Sequence, residues 1–127
     1  MSFYDKQIKN LKGVPVFLQV MKDGQPEEIP VTLRDVFLAV LNDYRPTNMA
    51  ELSICVTATR KIQKDDENLD EDEVKKLVDL VANSNGLAMY TIMFTLDSLS
   101  EKFPAVKDYI SKKFERKSKK DKKKASG

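Results

Sequence analysis

The run from Leu87 to Leu99, LAMYTIMFTLDSL, is the most apolar in the chain and constrains its fold more than any other stretch. It is opened by Ser84-Asn85-Gly86 and closed by Phe103-Pro104. At helical spacing Met89, Ile92, Met93, Leu96 and Leu99 form one stripe, with Leu87, Tyr90 and Phe94 on a neighbouring face. Strand alternation also fits part of it, placing Tyr90, Ile92, Phe94 and Leu96 together. Helix is the better reading, because the run is long for a strand and stops before a proline. A helix apolar on so much of its circumference is buried on several sides, so the other elements are expected to pack around it.

The segments before it carry their own signals. Residues 1–13 offer Phe3, Tyr4, Ile8 and Leu11 as anchors for a loose arm or a short helix. Val14 to Met21 is rich in β-branched and aromatic residues, and the Asp23-Gly24 pair after it predicts a hairpin turn, with Glu27 to Val31 returning. Pro15, Pro26 and Pro30 cannot donate ladder hydrogen bonds, so this is an edge hairpin. It is expected to lean on helices, since an isolated hairpin is marginal in water.

Thr32 with Asp35 predicts a capping box, and Val31 with Val36 a hydrophobic staple, at the start of a helix over 33–42. A second helix is expected from Thr47 or Asn48, with Leu52, Cys55, Val56, Thr59 and Ile62 inward. Asp70 with Glu73, and Leu69 with Val74, repeat the box and staple for a third helix, which Asn83 to Gly86 is expected to end through a left-handed residue. After the apolar run, Pro104 fits the first turn of a final helix carrying Val106, Tyr109, Ile110 and Phe114 on one face. The expected fold is mainly α, α+β in detail: a small bundle of about five helices with an N-terminal β-hairpin at 14–31. Residues 1–111 make one domain; 112–127 is a basic tail, helical at its start and then disordered for want of anything to bury.

Charge is distributed unevenly. The total over 127 residues is +2, yet residues 112–124 hold nine Lys/Arg against Glu115 and Asp121, a net +7, leaving −5 on the rest. Lys112, Lys113, Arg116, Lys117, Lys119, Lys120, Lys122, Lys123 and Lys124 are therefore candidates for contact with nucleic acid or an acidic partner. Such a cluster releases counterions from phosphates without reading sequence. It is lysine-dominated and has no aromatic residue beyond Phe114, so it offers neither bidentate base readout nor stacking. Asp65, Asp66, Glu67, Asp70, Glu71 and Asp72 are the candidate acidic docking surface, for a basic partner or for this tail.

Chemistry of other kinds is poorly provided for. The chain has no histidine, and Cys55 is its only cysteine. Ser-His and Cys-His nucleophile pairs and a zinc site are therefore excluded, and no disulfide forms within the chain. Cys55 falls on an apolar helix face, where an inert core thiol is expected. A calcium loop counted from Asp66 puts Glu71 where the turn glycine belongs and Leu77 where the bidentate glutamate belongs. Gly13, Gly24, Gly86 and Gly127 are isolated, so no phosphate-cradling loop is present. No catalytic residue, metal or cofactor is expected. Neither the N-terminus nor the run at 87–96 has the length of a signal peptide core or a membrane span, which predicts a soluble protein in the cytoplasm. Leu38 and Leu80 fall off their helix stripes; clustered on the surface with Met49 or Phe17, they would mark a partner site.

The order of these features, PVTLRDVFLAVL (30–41), then RKIQK (60–64), then NLDEDEVKKLVDLV (68–81) and a last core helix, resembles a broad set of small bacteriophage proteins of unknown activity. The likeness covers roughly residues 27–99; the longer N-terminus and the basic tail depart from it. It implies a non-enzymatic viral accessory protein, acting in the host cytoplasm through protein contacts, and it carries no catalytic residue over. The expected function is thus binding to a larger protein complex, with the tail aiding contact to nucleic acid or an acidic surface. Direct, sequence-nonspecific nucleic-acid binding and self-association as a structural or assembly protein are the alternatives.

Overall fold

The computed structural model describes residues 2–112. Among them are a two-stranded hairpin, β1 (Phe17–Lys22) and β2 (Gln25–Pro30), and the helices α1 (Leu33–Asp43), α2 (Met49–Gln63), α3 (Glu71–Ala82) and α4 (Met89–Lys102). A 3-10 turn at Pro104–Val106 leads into a fifth helical segment, α5, over 107–112. The chain is mainly α with one β-hairpin, as its sequence leads one to expect. Phe114, the other eight tail cations and the tail's expected disorder lie outside the described residues.

The hub is α3, not α4. It packs against α1, α2, α4 and the Pro104 turn, whereas α4 meets mainly α3 and that turn. Its entry is fixed by a capping box in which the Asp70 carboxylate accepts the Glu73 N–H and the Glu73 carboxylate accepts the Asp70 N–H. Val74, Leu77, Val78 and Val81 then point inward. Because α4 is covered on fewer sides, its buried face is narrower and rotated from the expected stripe. Thr91, Ile92, Thr95, Leu96, Ser98 and Leu99 are inside, while Met89 is 69% and Met93 43% exposed.

α1 starts with the Thr32–Asp35 capping box. α2 starts at Asn48, whose side chain accepts the Glu51 N–H. α2 also turns differently from expectation: Cys55, Ala58 and Ile62 are buried, and Leu52 and Val56 are at the surface. Left-handed backbone occurs after α2, at Asp65 (φ 61°), and not after α3. There the Asp66 N–H donates to the Lys61 carbonyl and the Asp65 N–H to the Ile62 carbonyl, a Schellman ending with aspartate in the usual glycine position. α3 instead ends with Asn83 at φ −98°, its N–H donating to the Asp79 carbonyl.

The N-terminal arm is a docked 3-10 turn, Phe3–Asp5. Tyr4 and Ile8 are fully buried; Phe3 stacks on Phe37 and meets Phe103 edge-on, and Tyr4 meets Phe37 edge-on, while Leu11 stays 81% exposed. The Tyr4 hydroxyl donates to the Asp66 carbonyl at 2.6 Å. Burial, reinforced by Asp66, Glu67 and Glu73, raises its pKa.

Asp23 and Gly24 both have positive φ (53° and 78°), the type I′ geometry of a two-residue turn. The expectation that helices support this hairpin fails beyond its base. Val31 donates to Val16, Ile8 to Val31, and Val16 to Ile8, and this triangle of backbone bonds holds the root. Above it both faces stand in solvent, with Phe17 51%, Leu18 55%, Met21 71% and Ile29 37% exposed. Counting from the Val16–Val31 bond, hydrogen-bonded pairs alternate so that Pro26 and Pro30 face outward, opposite Met21 and Phe17. The outer edge of β2 therefore lacks two donors, and that of β1 lacks none.

Candidate functional site

The α2 side chains left outside the core are not scattered. Leu52 (40% exposed) and Val56 (38%) lie one turn apart and face Leu38 and Leu41 of α1 across a groove of about 680 Å³. Pro46 and Tyr44 close one end, and Asn42, Arg60 and Gln63 supply a polar rim. Met49, one turn before Leu52, continues the apolar line at 76% exposure. Leu38 lines this groove, Leu80 lines a different cavity and Phe17 sits on the hairpin, so Leu38 and Leu80 do not form one surface cluster. Sequence spacing missed Leu52 and Val56 because their i, i+4 pattern is the same on an inner and an outer face. Cys55 lines the same groove from below, 6% exposed, and burial pushes its thiol pKa up.

The α1–α2 connection is braced by a polar cluster. Glu51 accepts hydrogen bonds from Lys76 of α3, from the Tyr44 hydroxyl and from the Thr47 hydroxyl, and also from the Thr47 N–H at 3.2 Å. The Lys76 bond, followed by those from Thr47 and Tyr44, holds its carboxyl down at about 2, against an ordinary 4.5. Lys76 also lies 4.6 Å from the Tyr44 ring centroid. Burial works against its ammonium, but the bonds to Glu51 and Tyr44 outweigh that and raise its pKa. Tyr44 forms part of both the groove and a second cavity of about 620 Å³ on the far side of α1. Asp43, Lys76, Asp79 and Leu80 line that cavity, with the turn from Asn83 to Gly86.

The acidic stretch is largely engaged within the body. Asp65 pairs with Arg34, Glu67 with Lys102 at 2.8 Å and Glu71 with Lys75 at 3.3 Å. The Lys102 bond lowers the Glu67 pKa. The Asp66 carboxylate accepts the Asn68 N–H, Asp70 is a helix cap, and Asp72 points to solvent. Glu73, its side chain 2% exposed, pairs with Lys61 at 2.6 Å. Of the basic candidates, Lys112, the last described residue, is exposed in α5. Lys113, Arg116, Lys117, Lys119, Lys120, Lys122, Lys123 and Lys124 lie outside the described residues. No helix among the described residues is long and apolar enough to cross a membrane. In comparisons with known proteins the chain matches no protein-family model, no curated protein and no solved structure.

Proposed function

We propose that this chain is a non-enzymatic accessory protein that docks on a larger protein partner by taking an amphipathic helix of that partner into the α1–α2 groove. The observation that carries this reading is the exposed pair Leu52 and Val56, lining one groove with Leu38 and Leu41 and with the polar Asn42, Arg60 and Gln63. A helix binds such a groove through anchors spaced i, i+3, i+4, i+7. An apolar centre with polar residues around it is the usual anatomy of a protein interface. The likeness of residues 27–99 to small bacteriophage proteins supports a viral or host complex as the partner. The basic run would add electrostatic steering, which raises on-rates more than it sets specificity.

The test is affinity capture read by mass spectrometry, with the wild-type chain, a Leu52→Asp/Val56→Asp variant and a 1–111 truncation, each with and without nuclease. One defined protein retained by wild type and truncation after nuclease, and lost by the folded groove variant, is the expected result. A second reading, direct sequence-nonspecific binding of nucleic acid, is favoured by the nine Lys/Arg in residues 112–124. It holds if only the full chain captures material, nuclease removes it, and binding collapses as salt rises.

A further inference from the structure

The cavity on the far side of α1 is a negative pole. α1 ends there at Asp43 and α3 at Ala82, and neither has a basic residue in its last turn to offset the partial negative charge of its terminal carbonyls. Asp43 and Asp79 add carboxylates to the wall. The cation on that wall, Lys76, is already committed to Glu51 and Tyr44. The opening, of about 620 Å³, has room for several side chains.

The chain's own cations follow closely in sequence on the helix that meets this wall. In α5 the Tyr109 hydroxyl donates to Asp79 at 2.6 Å, and Lys75 lies 5.4 Å from the Tyr109 ring centroid. The described residues end at Lys112, three positions after this tyrosine, and the next twelve hold eight of the nine tail cations. An extended chain advances ~3.3 Å per residue, so a handful of residues covers the reach from α5 to the cavity. In the acidic stretch at 65–73, four of the seven carboxylates, Asp65, Glu67, Glu71 and Glu73, are already paired with Arg34, Lys102, Lys75 and Lys61, which reduces its pull on these lysines.

We propose that this cavity is a binding site for a lysine-rich segment and that its occupant is the chain's own residues 113–124. Seated there, the tail is withheld from phosphates and acidic partners until one of them outcompetes Asp43, Asp79 and the two helix ends. The inference does not rest on the α1–α2 groove, and either can fail alone.

The experiment uses the full chain with a nitroxide on Ser126→Cys. Cys55 is buried, so the new thiol is the accessible one. At low ionic strength the label is expected to erase or strongly weaken the amide peaks of Asn83 to Gly86. The peaks return at ~1 M salt, where the Debye length is about 3 Å, and the effect is smaller in Asp43→Asn and does not change on dilution. Broadening centred on residues 65–73, or none on the cavity, overturns the proposal. Broadening that disappears on dilution overturns it too, because it assigns the tail to another copy.

Discussion

Glu51 shows how a single side chain ties three segments together. Its carboxyl titrates at about 2 against an ordinary 4.5, chiefly because Lys76 donates to it. Between those values the unfolded chain binds the proton and the folded chain does not, so this contribution is complete above the unfolded value and is lost as pH falls toward 2. Urea midpoints measured down this range should fall more steeply for wild type than for Glu51→Gln; equal slopes would dismiss the role. Thr95 makes the opposite case. It is fully buried, and its hydroxyl has no hydrogen-bond partner among the described residues. Thr95→Val keeps the shape and removes an unsatisfied polar group, which should raise unfolding free energy by about 1 kcal/mol. A lower urea midpoint would mean that a water or an undescribed residue serves this hydroxyl. At this scale the caps were legible in the sequence, since Thr32–Asp35 and Asp70–Glu73 act over three residues. Lys61–Glu73 and Lys76–Glu51 were not, because nothing local marks which lysine a carboxylate will meet across helices.

Among the elements, helix positions and starts followed from turn and capping signals, and their rotations did not. Both α2 and α4 carry more apolar positions than one face can bury, so spacing alone fits two orientations. Ala58 and Thr95, each fully buried, mark the faces that turned inward, and neither stands out in a count of large apolar residues. The contrast between hub and flank is measurable. Leu77→Ala, at a fully buried α3 position, should cost about 2–5 kcal/mol. Met93→Ala, half out in solvent on α4, should stay within about 1 kcal/mol. Chemical denaturation of the two variants checks the ranking, and a reversal would restore α4 as the organising helix. The α1–α2 groove arises from the same rotation: turning Leu52 and Val56 out of the core is what lines it.

On the scale of the whole molecule, a body of −5 is joined to a segment of +7. At neutral pH the full chain should bind a cation exchanger, and the 1–111 truncation an anion exchanger. Failure of the sign to reverse would show that net charge does not govern retention. This polarity was plain in the sequence. The negative cavity was not, because it is made partly of carbonyls at two helix ends, which no residue letter records.

The outward prolines of β2 have a further consequence for association. Strand addition is a step-growth reaction, and its product depends on how many reactive edges each unit carries. Two edges give filaments. With Pro26 and Pro30 on one side and an unblocked β1 on the other, this hairpin is monofunctional: it can couple once, and the coupled product has no open end left from which to grow.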